Sequence, residues 1–149
     1  MDHVLAVSAT DYNDKIWGLS NYGDYIDVSA PGHVIYSTSN NLNNAYNGYT
    51  FLSGTSMAAP HVAGVAALLL AQNETRTPYD LTLLLTVAAE DLGERGKDEY
   101  YGYGRLNAGV SLDLGAESQV TPGFSDDLFA ALVNREYHVF MPFISADVP

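Results

Sequence analysis

The residues best suited to chemistry in this chain are Ser53-Gly54-Thr55-Ser56-Met57-Ala58-Ala59-Pro60-His61-Val62-Ala63-Gly64. A serine hydroxyl is a weak nucleophile at neutral pH. It needs a base to take its proton and donors to hold a developing oxyanion. Ser56 stands where a run of very small side chains opens a helix. That position aims first-turn N–H groups and the positive end of the helix dipole at one spot. Gly54 lets the backbone turn sharply and leaves room for a substrate carbonyl. Ala58, Ala59, Ala63, Gly64, Ala66 and Ala67 let the helix approach a sheet closely, which makes a rigid platform. A serine before an apolar helix is in most proteins an N-cap and nothing more.

Groups that could serve such a serine are few. His61 lies five residues beyond Ser56 on the same helix and is expected to be structural, hydrogen-bonded within the platform. His3 and His33 sit beside expected strands, His138 lies in the C-terminal tail, and none has a motif around it. Asp27 is a single carboxylate with Tyr25, not an acid, two positions before it. It is expected to be solvated or hydrogen-bonded, so no metal and no cofactor is assigned. With no cysteine, a thiol nucleophile, a disulfide and a Cys-based metal site are all excluded.

The elements that must position Ser56 follow from pattern. Val4-Leu5-Ala6-Val7-Ser8-Ala9 reads as a buried strand ending in the turn Asp11-Tyr12-Asn13-Asp14. Tyr25-Ile26-Asp27-Val28-Ser29 reads as a second strand, stopped by Ala30-Pro31-Gly32, and His33-Val34-Ile35-Tyr36-Ser37-Thr38 as a third. After an Asn-rich loop, Tyr49-Thr50-Phe51-Leu52 is a fourth strand, leading into Gly54. One helix is expected from Ser56 to about Gln72. Another starts at Thr77-Pro78, with Thr77 as N-cap, Asp80 near its positive end, and a stripe of Leu81, Leu84, Leu85 and Ala88. Asn107 caps a short helix ending near Gly115. The domain is placed at residues 1–115, followed by a polar linker and an apolar tail, 116–149, which could begin another module.

At 149 residues, 47% of them hydrophobic, the chain can bury the core of about one domain. Its formal charge of −12 argues against nucleic acid or an anionic membrane as a partner. The longest apolar run, residues 62–71, is too short to span a bilayer and reads as a buried helix. The N-terminus has no basic, signal-like segment.

The string from Gly54 to Gly64 closely resembles the nucleophile motif of the subtilisin-like serine proteases, the subtilases of peptidase family S8. Further segments follow in the family's order. Val4-Leu5-Ala6-Val7-Ser8-Ala9 is similar to a strand before a polar turn, and Leu19-Ser20-Asn21-Tyr22-Gly23 to a loop. Asp27-Val28-Ser29-Ala30-Pro31-Gly32 is similar to an Asp-Val-x-Ala-Pro-Gly segment, and Tyr101-Gly102-Tyr103-Gly104-Arg105-Leu106-Asn107 to a signature near the domain's end. The resemblance covers roughly residues 3 to 115. It implies the C-terminal part of a three-layer α/β fold with a mostly parallel sheet. It further implies that Ser56 is the nucleophile, its N–H one oxyanion donor, Gly54 and Thr55 the support, and Met57 the border on the leaving-group side. The family's Asp, His and oxyanion Asn come earlier in the chain order. They have no counterpart here, so the resemblance implies a fragment, inactive alone, that requires the upstream catalytic segment. The implied reaction is peptide-bond hydrolysis through an acyl-enzyme on a protein or peptide substrate, in a secreted protein.

Two other readings compete. Gly54-Thr55-Ser56-Met57-Ala58 approximates the G-x-S-x-G elbow of an α/β-hydrolase esterase, with Ser56, Asp113 and His138 in the right order. Ala58 replaces its last glycine, and too few elements follow Ser56. The chain could otherwise be a non-catalytic subtilase remnant acting as a scaffold or binding piece.

Overall fold

A computed structural model of the chain describes residues 4–40 and 48–117. Its parallel pair is β1 (Val7–Thr10) with β2 (Val28–Pro31), in a register that sets Val7 opposite Val28 and Ala9 opposite Ala30. Ser8, Ala9, Thr10, Val28, Ser29 and Ala30 are all fully buried, as in a parallel sheet covered on both faces. Pro31, which cannot donate to a ladder, sits at the end of the pairing.

The other edge of β2 is covered by the segment Tyr101-Gly102-Tyr103-Gly104-Arg105-Leu106. Tyr103 donates to the Asp27 carbonyl at 2.9 Å, Ser29 to Gly104 at 2.9 Å, and Leu106 to Ser29 at 2.8 Å. Gly102 adopts φ +63°, and a Cβ there would overlap the Asp27 carbonyl. Only glycine allows this approach, which accounts for the first glycine of that motif.

Helix α1 (Thr55–Gln72) lies over the pair, burying Ala58, Val62, Val65 and Leu69 at i, i+4, i+7 and i+11. These meet Ala9, Val28, Ala30, Leu84, Leu85, Ala88 and Leu114 in one core. The opposite side of α1 is also apolar, but Ala59, Ala63, Ala67 and Leu68 stay exposed among the described residues. By length and composition α1 could cross a membrane; its packed stripe against β1 and β2 makes it a core helix.

Helix α2 (Pro78–Val87) begins as the sequence leads one to expect. Thr77 Oγ1 accepts the Asp80 N–H at 3.3 Å, and Asp80 Oδ2 accepts the Thr77 N–H at 2.7 Å, closing a capping box. In α3 (Ala108–Glu117), Asn107 Oδ1 accepts the Val110 N–H at 3.1 Å, and the helix runs two residues beyond Gly115. Arg76, 7% exposed, joins the ends of two helices: its guanidinium donates to the carbonyls of Leu69 on α1 and Gly115 on α3. Arginine there complements both helix C-termini. Arg76→Ala would remove both donations, leaving the Leu69 carbonyl only the Asn73 N–H, and we expect a loss of about 2 kcal/mol, read from the urea midpoint.

β3 (Ile35–Thr38) and β4 (Tyr49–Leu52) form a separate antiparallel ribbon, with Ile35 opposite Leu52 and Tyr36 opposite Phe51. Tyr36 stacks on Tyr49 at 5.4 Å and meets Phe51 at 4.7 Å on one face of the ribbon.

Five strand limits differ from the sequence reading: β1 ends at Thr10, not Ala9, β2 runs on through Ala30 and Pro31, which were expected to stop it, and three strands start later than expected. The first strand starts at Val7, not Val4, because Ala6 is occupied otherwise: its N–H bonds Asp27 Oδ2 at 2.8 Å. For the same reason the second starts at Val28. The third starts at Ile35 because residues 32–34 form a tight turn with Val34 at φ +57°. The tail from residue 118, with the apolar patch and His138, and His3 lie outside the described residues.

Candidate active site

Ser56 is the second residue of α1 and is exposed. Gly54 precedes the helix, and its carbonyl accepts the N–H groups of Met57 at 2.9 Å and Ala58 at 3.3 Å. The N–H groups of Thr55 and Ser56 belong to the first turn, where no helix carbonyl is available to them. Those donors, with the dipole, can receive a developing negative charge beside the Ser56 hydroxyl.

Beside Ser56 opens a groove of about 380 Å³. Ile35, Tyr36, Thr50 and Leu52 of the ribbon form one wall. Ser56, Met57, Pro60 and His61 of α1 form the other. Of the residues singled out for chemistry, Ser56 and Met57 line this groove, while Gly54 and Thr55 do not.

The support of the Ser56 turn comes from two distant segments. Asn21 Nδ2 donates to Thr55 Oγ1 at 3.1 Å. Ser20, next to Asn21, accepts the Ala9 N–H at 2.8 Å, which ties that loop to β1. The Gly54 N–H donates to the Gly32 carbonyl at 2.8 Å. Ser53 Oγ accepts the Val34 N–H at 2.8 Å and lies 3.0 Å from His33 Nδ1. Asn21, Gly32, His33 and Ser53 carried no assigned role in the sequence, since their partners lie 19 to 34 residues away. The hints were the Leu19-to-Gly23 and Asp27-to-Gly32 segments and the place of Ser53 at the head of the string.

His61 Nδ1 lies 2.9 Å from the Met57 carbonyl, one turn back. A carbonyl only accepts, so Nδ1 carries the proton. His61 is therefore engaged with its own helix, though on its exposed side and not inside it. Asp27 has Ala6 N–H on Oδ2 and the Lys97 ammonium 3.8 Å from Oδ1; Lys97 also lies 5.4 Å from the Tyr103 ring centre. Among the described residues no group of three His, Asp or Glu stands close enough to hold a metal. Asp113, the acid of the hydrolase alternative, is exposed on α3.

Comparison with known proteins decides the family: the profile of the Subtilase family (peptidase S8) matches residues 1–104. The chain belongs to the subtilase family. As a subtilase it is 42% identical over 106 residues to thermitase of Thermoactinomyces vulgaris, covering 71% of this chain and 35% of that protein. It is 41% identical over 107 residues to the thermophilic serine proteinase of Bacillus sp. strain AK1, covering 72% of this chain and 24% of the relative. The chain thus spans about a quarter to a third of the length of these relatives. The structure of fervidolysin from Fervidobacterium pennivorans, a keratinolytic enzyme related to subtilisin, matches 74% of the chain and 19% of its own. Its TM-score is 0.65 and its identity 35%. The fold is accordingly a subtilisin-like α/β fold, with β1 and β2 its parallel strands here.

Proposed function

We propose that this subtilase chain carries the nucleophile of a serine endopeptidase, with Ser56 in that role. The observation that carries this reading is the placement of Ser56. It is exposed at the N-terminus of α1, on the groove, within a turn anchored at Ser53, Gly54 and Thr55. In the reaction, Ser56 Oγ attacks the scissile carbonyl carbon as a base removes its proton. The Ser56 N–H takes part of the charge on the oxyanion. The tetrahedral species then expels the amine, which receives the proton, and water hydrolyses the resulting ester. Met57 borders the side from which the amine departs.

Among the described residues no base is joined to Ser56, since His61 is bonded to Met57 and His33 to Ser53. The base, its carboxylate partner and the oxyanion asparagine are therefore assigned to the upstream catalytic segment, as is most of the substrate pocket. These 149 residues are in this reading a fragment without activity of their own. Substrates are proteins or peptides, with no nucleic acid and no membrane as partner, and no cofactor is required. An extracellular location is supported by the family and by the acidic, cysteine-free composition.

The test is a serine-directed organophosphorus probe applied to the enzyme containing this chain. Covalent label is expected on Ser56 and absent in Ser56→Ala. Label on another serine, unchanged in that variant, would overturn the assignment.

A further inference from the structure

Ser53, three residues before Ser56, is held by a group that the reaction does not use. Its Oγ lies 3.0 Å from His33 Nδ1 and accepts the Val34 N–H at 2.8 Å. The His33 ring is in turn stacked on Trp17, with ring centres 5.7 Å apart and planes 20° from parallel. Beside this contact the Gly54 N–H is bonded to the Gly32 carbonyl. Gly32 is so close to Ala9, Ala58 and Gly54 that a Cβ would overlap them. Val34 sits at φ +57°, a conformation that strains a β-branched residue. Such strain persists only where the surroundings over-determine it. Here they do, with indole under the imidazole and one hydroxyl bonded to both His33 and the Val34 amide.

We propose that His33 is a positioning residue for the turn from Ser53 to Ser56: braced by Trp17, it grips the Ser53 hydroxyl and so fixes the backbone that delivers Ser56. The consequence for catalysis rests on Ser56 being the nucleophile; the clamp itself does not.

Trp17 is the only tryptophan in the chain, so its emission reports on the ring stacked against it. The experiment measures that emission, and hydrogen exchange of the peptide containing Gly54, in the 149-residue chain and three variants at one pH. His33→Ala is expected to change the emission and to speed exchange of the Gly54 amide. His33→Asn, which keeps a polar group near the place of Nδ1 but has no ring, should restore slow exchange in part and leave the emission altered. Ser53→Ala should keep the wild-type emission and speed exchange. Wild-type exchange in His33→Ala or in Ser53→Ala overturns the proposal. Neither readout needs turnover, so a failure of the peptidase reading would leave them standing.

Discussion

Ser56→Ala in the active enzyme is expected to lower kcat on the order of 10⁶-fold with KM nearly unchanged, the scale seen when the nucleophile of subtilisin is removed. The size follows from what the substitution removes. Alanine keeps the helix, the groove and the first-turn donors, so substrate binding survives. What disappears is the oxygen that forms the acyl-enzyme, and with it the two-step path. The oxyanion donors then act only on direct attack by water, which leaves a residual catalysis. Kinetics with a peptide ester and a peptide amide give the check. A loss of less than about tenfold in both would mean that Ser56 is a first-turn residue of α1 and no nucleophile.

The second large effect concerns the 149 residues by themselves. Their hydrolysis of peptides is expected to be indistinguishable from that of their own Ser56→Ala variant. A hydroxyl with no base beside it stays protonated at neutral pH. In the described residues the two histidines are engaged elsewhere, His61 with a carbonyl of its own helix and His33 with Ser53. A helix N-terminus stabilises an oxyanion but cannot take up the serine proton. Turnover by the purified chain, lost in Ser56→Ala, would show that a base lies within it after all.

How much of this could be read from the chain depended on the range of the interaction. Helix α2 was legible down to its cap because Thr77, Pro78 and Asp80 carry their own start signal within four residues. The start of α1 was legible for a similar reason, and β4 lay within its expected limits. β1 and β2 were found but drawn too early. A period-2 pattern does not reveal that the Asp27 side chain bonds Ala6 and so ends the ladder there. The antiparallel pairing of β3 with β4 was not read, since pairing depends on partners that the local pattern does not name. At the site, Ser56 was legible because its neighbours form a long specific string. Asn21 on Thr55, and Trp17 under His33, were not. Those contacts exist only after β1 and β2 have paired and brought their loops together.

That dependence has a kinetic side. β2 is bound on one edge to β1, 21 residues earlier, and on the other to Gly102 and Arg105, more than 70 residues later. Neither neighbour can be in place until a long stretch of chain has been closed into a loop, and the loss of chain entropy precedes the gain. Folding is therefore expected to be slow for the length of the chain, limited by the arrival of the Gly102 segment. Gly102, whose closeness to Asp27 the finished fold requires, then bears on how fast the protein matures as well as on how stable it is.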